Sequence, residues 1–294
     1  MRNLREMRPL RAGPLDRSNS GTGTRGNHAI IVAVLGDAVS RVRQPAPAMW
    51  RTAGEAFARP YPITWPMIVL IALVPCYIFI GAWAAGRTLH APALAADARV
   101  PLVPAWAVAY GALYLFLILL PVFVVRDKPH VRRMFLAYVC VWLTSYAIFF
   151  AYPTVALRPA QVSSASFGAW AIRLLYSVDP PYNCFPSLHV AHSFVSAFAS
   201  RRIHRGVGRV ALLCASLVAI STLLTKQHYI LDVAAGIAIA SGTQAILLGS
   251  QGEVPSFDRR AAPAMAAAAC GIVTIALAGA WMAYHWFGSV RSPA

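Results

Sequence analysis

The chain has 294 residues, 58% of them hydrophobic and 12% charged, with a formal net charge of +16. That charged fraction is about half of what soluble domains carry, which excludes an ordinary water-soluble fold and marks a membrane protein. The basic excess is not a nucleic-acid footprint either, because ten arginines lie in the first 59 residues and most of the others sit in short loops between apolar runs.

Residues 1–60, rich in Arg, Gly, Ser and Pro, read as a disordered basic tail on the cytoplasmic side. The short apolar piece AIIVAVLGDAV within it is stopped by Asp37, lacks a small-residue cleavage site and is followed by more arginines, which argues against a cleaved signal peptide. Apolar segments able to cross ~30 Å of hydrocarbon follow at about 63–85, 101–125, 134–151, 187–200, 207–225, 229–249 and 263–287, the fourth being short. The expected fold is therefore all-α integral membrane, a six-helix core bundle plus a seventh C-terminal span. The chain divides accordingly into the tail (1–60), a six-span membrane domain (61–250) and a loop with the seventh span (251–294). Five cysteines, Cys76, Cys140, Cys184, Cys214 and Cys270, show neither a CxxC pair nor metal-finger spacing and read as small packing residues. Only Cys184 adjoins a polar motif.

Lysines and arginines in alternate loops set the orientation. The tail holds ten, 126–133 has Arg126, Lys128, Arg132 and Arg133, and 201–209 has Arg201, Arg202, Arg205 and Arg209. On the other side 86–100 has two, 152–186 has Arg158 and Arg173, and 226–228 has Lys226 alone. The richer set belongs in the cytoplasm. Arg259 and Arg260 in the loop 250–262 join it, which puts the C-terminus outside. The long loop 152–186, the stretch NCFPSLHVAHSF (183–194) and the connection around His228 then share the non-cytoplasmic face.

Three polar clusters converge there. In STLLTKQHYILDVAAG (221–236), His228 and Asp232 are four apart at the start of a helix and share a face. A carboxylate accepting the imidazole Nδ1–H leaves Nε2 with its lone pair outward, the form of a nucleophilic histidine. The alternative is a structural His–Asp pair locking two helices. His189 opens the fourth span, with Pro186 expected in the first helical turn, whose free N–H groups and the Ser187 hydroxyl suit an anion. A second histidine beside such a site can protonate a leaving oxygen; the alternative for His189 is an interfacial residue at a helix cap. His192, one turn deeper, reads as a packed core histidine. Arg158, after the third span, suits bidentate contact with phosphoryl oxygens, or snorkels at the interface.

Together these residues resemble the type 2 phosphatidic acid phosphatase superfamily, whose signature is K-x6-RP, PSGH and SR-x5-H-x3-D. Arg158-Pro159 matches the first motif, Pro186-Ser187-Leu188-His189 the second, and Ser221, His228 and Asp232 the third, over roughly residues 134–249. Ala151 stands where the signature has lysine, Thr222 where it has arginine, and Leu188 where it has glycine. FPSLH with HYxxD is similar to the branch of the inositol phosphorylceramide synthases, which transfer a phospho-headgroup. Lys226, two residues before His228, is a candidate to restore one of the missing charges, or is a plain interfacial lysine.

The resemblance implies a metal-independent reaction without a cofactor. His228 attacks phosphorus, Asp232 orients it, His189 protonates the leaving oxygen, and Arg158 and Ser187 hold the phosphoryl oxygens. A phosphohistidine is then resolved by water or by an alcohol. The implied substrate is a phospholipid, sphingolipid or polyprenyl phosphate, and the expected location is the plasma membrane of a bacterium, with the site facing the periplasm or exterior. A transporter would place its ionisable groups near the midplane, whereas these cluster at one face. The remaining alternative is an inactive lipid-binding or scaffold protein, because Ala151 and Thr222 break the signature.

Overall fold

Residues 49–162, 166–249 and 252–288 are described by the computed structural model. Helix α1 spans Met49–Ala58, α2 Trp65–Ala84, α3 Trp106–Val124, α4 Lys128–Ala151 and α5 Phe167–Val178. They are followed by α6 Leu188–Ile203, α7 Arg205–Leu224, α8 Ile230–Thr243 and α9 Ser256–Ala283, the last two running on as π-helical turns through Leu248 and Gly288. No strand forms among the described residues; two isolated bridges, His90 with Thr154 and Val155 with Tyr182, hold three extended loop pieces side by side.

Six helices are long and apolar enough to cross a membrane: α2, α3, α4, α7, α8 with its extension, and α9 with its extension. The all-α membrane fold expected from the sequence is thus found, with the seventh C-terminal helix built into the bundle by packing along α3 and α1. The remaining core helix, α6, has 16 residues and rises about 24 Å at 1.5 Å per residue, less than the hydrocarbon thickness. It tolerates its serines because it does not face lipid: eleven of those residues are buried, ringed by α3, α4, α7 and α8. By contrast α2 turns Ile68, Ile71, Ile78 and Phe79 outward, as a peripheral span must when the surrounding solvent is hydrocarbon. The core joins Leu117, Leu120, Met134, Val141 and Phe149 of α3 and α4 to Val195, Ile203, Ala211, Ala215 and Val218 of α6 and α7.

Two sequence expectations change. The tail was expected to be disordered to residue 60, but Met49–Ala58 is a helix whose Ala56 is buried; residues 1–48 lie outside the described residues. The loop 152–186 contains the 12-residue α5, capped by Ser166, whose Oγ accepts from Ala169 N–H at 3.2 Å.

Candidate active site

At one end of α6 three chain segments are fastened to each other by hydrogen bonds. Thr154 Oγ1 accepts from both Cys184 and Phe185 N–H at 3.1 Å. It thereby sets the turn before α6, in which Asn183 takes the left-handed φ of 59° that asparagine tolerates better than most residues. Ser187 N–H donates to the Asp232 carbonyl at 3.0 Å, joining the PSLH stretch to α8. Close approach there requires Gly236, since a Cβ on it would stand 2.6 Å from the Ser187 carbonyl oxygen. The turn from α7 to α8 hangs on the Thr222 carbonyl, which accepts from Gln227 N–H at 2.9 Å and His228 N–H at 3.2 Å.

His228 therefore sits in a tight turn two residues ahead of α8, and not on the helix face that its spacing from Asp232 implies. Its Nδ1 lies 2.9 Å from the Cys184 carbonyl oxygen and 3.4 Å from Asp232 Oδ2. Both partners are acceptors, so Nδ1 carries the hydrogen and Nε2 keeps its lone pair. That lone pair faces His189, whose Nδ1 is 3.4 Å away. Asp232 is fully buried; its Oδ2 also accepts Tyr229 N–H at 2.8 Å, closing the first turn of α8. The other ring nitrogen of His189, Nε2, lies 4.0 Å from Asp179 Oδ2. Tyr77 donates its hydroxyl to Asp179 Oδ1 at 3.1 Å, and Tyr110 and Tyr114 meet the His189 ring edge-on at centroid distances of 5.6 and 5.0 Å.

Arg158 reaches this group from the loop after α4. Its Nη1 donates to the Asp179 carbonyl at 2.7 Å, its Nη2 to Gln227 Oε1, and its Nε has no partner among the described residues. The guanidinium also lies 4.6 Å from the centre of the Tyr176 ring. The two histidines line different cavities. One, about 350 Å³, is bordered by His228, Arg158, Lys226, Asp97 and Tyr229. The other, about 490 Å³, is bordered by His189, Tyr114, Trp142, Tyr77 and Asn183 together with the apolar α2 residues Val74 and Ile78.

The sequence pattern of the PAP2 superfamily matches residues 82–246, more than half of the chain. The chain belongs to the PAP2 superfamily. No curated protein and no solved structure matches it. Membership, with the membrane-spanning helices, makes it a membrane protein of lipid-phosphatase type.

Within this PAP2 protein the residues expected from the sequence, His189, His228, Asp232, Arg158, Ser187 and Lys226, all gather at one end of the bundle. Some stand differently from the expectation. Pro186 precedes the helix and does not lie in its first turn: Ser187 is the N-cap, and its Oγ accepts from Val190 N–H at 3.3 Å. Lys226, with a left-handed φ of 53°, lines the cavity of His228 but directs its ammonium onto the carbonyls of Asp97 and Val100. Cys184 serves through its carbonyl; burial pushes its thiol up to about 12, so it holds no thiolate at neutral pH. His192 is buried and stacks on Tyr138 at 4.3 Å, as a packed core histidine does.

Three neighbours were given no role by the sequence reading. Asp97, from a 3-10 turn in the loop after α2, accepts Ile230 N–H at 2.9 Å and Leu94 N–H at 2.7 Å. It caps α8 with a negative charge where the helix dipole favours one. Asp179 and Thr154 are the others. None stands in a recognisable spacing, and only the Asp179-Pro180-Pro181 run before PSLH offered a signal. No group of three or more His, Cys, Asp or Glu that could hold a metal occurs among the described residues.

Proposed function

We propose that the protein is a lipid phosphate phosphatase or phosphotransferase that works through a phosphohistidine on a lipid-linked phosphate. The observation that carries this reading is the fixed tautomer of His228, its Nδ1–H held by two acceptors and its Nε2 open toward a second histidine. In the first step His228 Nε2 attacks phosphorus, the bond from phosphorus to the leaving oxygen breaks, and His189 gives that oxygen a proton. In the second, water or an alcohol attacks the same phosphorus from the side the leaving group vacated. His189 takes the proton of that water or alcohol and the phosphorus–nitrogen bond breaks. Asp232 balances the positive charge that His228 gains, as the carboxylate of a triad does. Asp179 is the counter-charge for His189 when it holds the extra proton. Arg158 and Ser187 hold the phosphoryl oxygens, and Lys226 adds a positive charge to the cavity it shares with His228 and Arg158, in place of the cations absent at Ala151 and Thr222. Substrate must part the two rings, because facing nitrogens 3.4 Å apart leave no room for a phosphoryl group between them.

Headgroup transfer, as in the inositol phosphorylceramide synthases that the FPSLH and HYxxD stretches resemble, is favoured over simple hydrolysis by the cavity beside His189. Its apolar wall on α2 suits a lipid alcohol better than water. Phosphate release and headgroup exchange measured on a panel of lipid phosphates, with and without lipid alcohols, test the reading. Transfer that exceeds release when an alcohol is supplied supports it, together with acid-labile, base-stable phosphate on the protein. Absence of both activities and of any phosphoprotein on every lipid in the panel overturns it. Turnover is expected to survive EDTA, and a loss restored by Mg²⁺ or Zn²⁺ would replace the histidine mechanism by a metal one.

A further inference from the structure

A larger cavity, about 860 Å³, lies at the opposite end of α6 and shares no residue with the site above. Four arginines border it, Arg201 and Arg202 at the end of α6, Arg205 at the start of α7 and Arg259 in the first turn of α9, against one acid, Glu253. Its apolar part is supplied by Phe198, Leu248 and Val254. We propose that this cavity binds the phosphodiester headgroup of an anionic phospholipid.

The arginines are displayed from a rigid corner and not from a loose loop. Only His204 separates α6 from α7, and its Nδ1 accepts Val207 N–H at 3.1 Å. The corner closes over Gly208, where a Cβ would lie 2.1 Å from Arg201 Cα, so no larger residue fits between the two helices. Arg202 donates to the Gly252 carbonyl at 3.2 Å, drawing the segment before α9, and with it Arg259, to the same rim. Among the described residues Arg201, Arg205 and Arg259 form no ion pair with a carboxylate. Arginines that serve only to orient a membrane protein act from any place in a loop. These come from two distant parts of the chain and meet around one hollow. The hollow opens where spanning helices end and combines cations with an apolar wall. That combination fits a phosphate attached to acyl chains better than a free phosphate, which has no use for the wall.

The test uses the full chain in detergent, carrying His228→Ala so that the probe is not consumed, titrated with dihexanoyl phosphatidylglycerol, dihexanoyl phosphatidylcholine and sodium phosphate. Saturable binding is expected for the phosphatidylglycerol alone. Arg201→Gln, Arg205→Gln and Arg259→Gln together should weaken it about tenfold or more, each arginine near a charged lipid surface contributing on a scale of several-fold. The exposed pair Lys128→Gln and Arg132→Gln, at the same end of the bundle but outside the cavity, should change it less than about twofold. Glu253→Gln removes the one acid of the rim and should tighten binding; it decides the matter even if the triple variant does not fold. The proposal is overturned if the outside pair costs as much as the triple change, if free phosphate binds as well as the lipid, or if Glu253→Gln leaves the affinity unchanged.

Discussion

A histidine that attacks and a histidine that protonates fail differently when removed, and this is what separates His228 from His189 in the proposed mechanism. His228→Ala is expected to abolish turnover and covalent phosphate together, since the attack on phosphorus is assigned to its Nε2 alone. His189→Ala slows expulsion of the leaving oxygen, so a nitrophenyl ester, which needs little protonation, should recover much of the rate lost on the natural lipid. Asp232→Asn should fall between them, keeping the shape while losing the charge that supports the imidazolium. Rates on both substrates and trapping of labelled phosphate on the protein check these roles. Label on the His228→Ala protein, or equal impairment of His189→Ala on both substrates, would refute them. The candidate residues were legible because their order and spacing match a signature. Their partners were not, because Cys184 acts through a backbone carbonyl and Asp179 reaches His189 only once the loop 152–186 has folded back over α6. A main-chain acceptor leaves no trace in residue type.

At the scale of the element, the site depends on how closely α8 lies against the mouth of α6, and Gly236 sets that distance. It is one turn beyond Asp232 on the same face, and a methyl group there would meet the Ser187 carbonyl oxygen at 2.6 Å. Gly236→Ala should therefore push α8 outward, stretch the bond from Ser187 N–H to the Asp232 carbonyl and move Asp232 away from His228. A displacement of this kind can cost up to about a hundredfold in rate even where the chemistry is untouched, so activity should fall at least about tenfold while the protein still extracts and melts as a folded bundle. Full activity in Gly236→Ala would show that the α6–α8 contact does not position the site. Apolar length made the seven core helices readable, including α6, whose serines look wrong for a span until its neighbours are counted. Length also hid α5, because a 12-residue helix is too short to register as a span and its residues lie inside a long loop rich in small and polar residues. Met49–Ala58 was lost to composition, the same basic stretch reading as tail while its apolar face packs on α9.

For the whole molecule, the two ends of the bundle carry opposite kinds of chemistry. One end gathers His189, His228, Arg158 and Asp179; the other gathers Arg132, Arg133, Arg201, Arg202, Arg205, Arg259 and Arg260, with few acids to offset them. Short loops rich in lysine and arginine stay in the cytoplasm because moving them across the bilayer opposes the bias that orients membrane proteins. The arginine-rich end should then lie inside the cell and the histidine end outside, where the phosphate of an outer-leaflet lipid meets the mouth of α6 while its chains remain in the bilayer. Alkaline phosphatase fused within 160–175 should be active, and the same reporter fused after Arg133 or after Arg205 should be silent, with a green fluorescent protein fusion giving the reverse. The fusion after Arg205 is the most informative, since it sits at the corner between α6 and α7 and reports the direction of the helix that carries His189. An external reading there would turn the bundle over and place the proposed chemistry on the cytoplasmic face. The lipid supply would then have to come from the inner leaflet, and substrate added to intact cells, expected to be turned over in the outward orientation, would be left untouched.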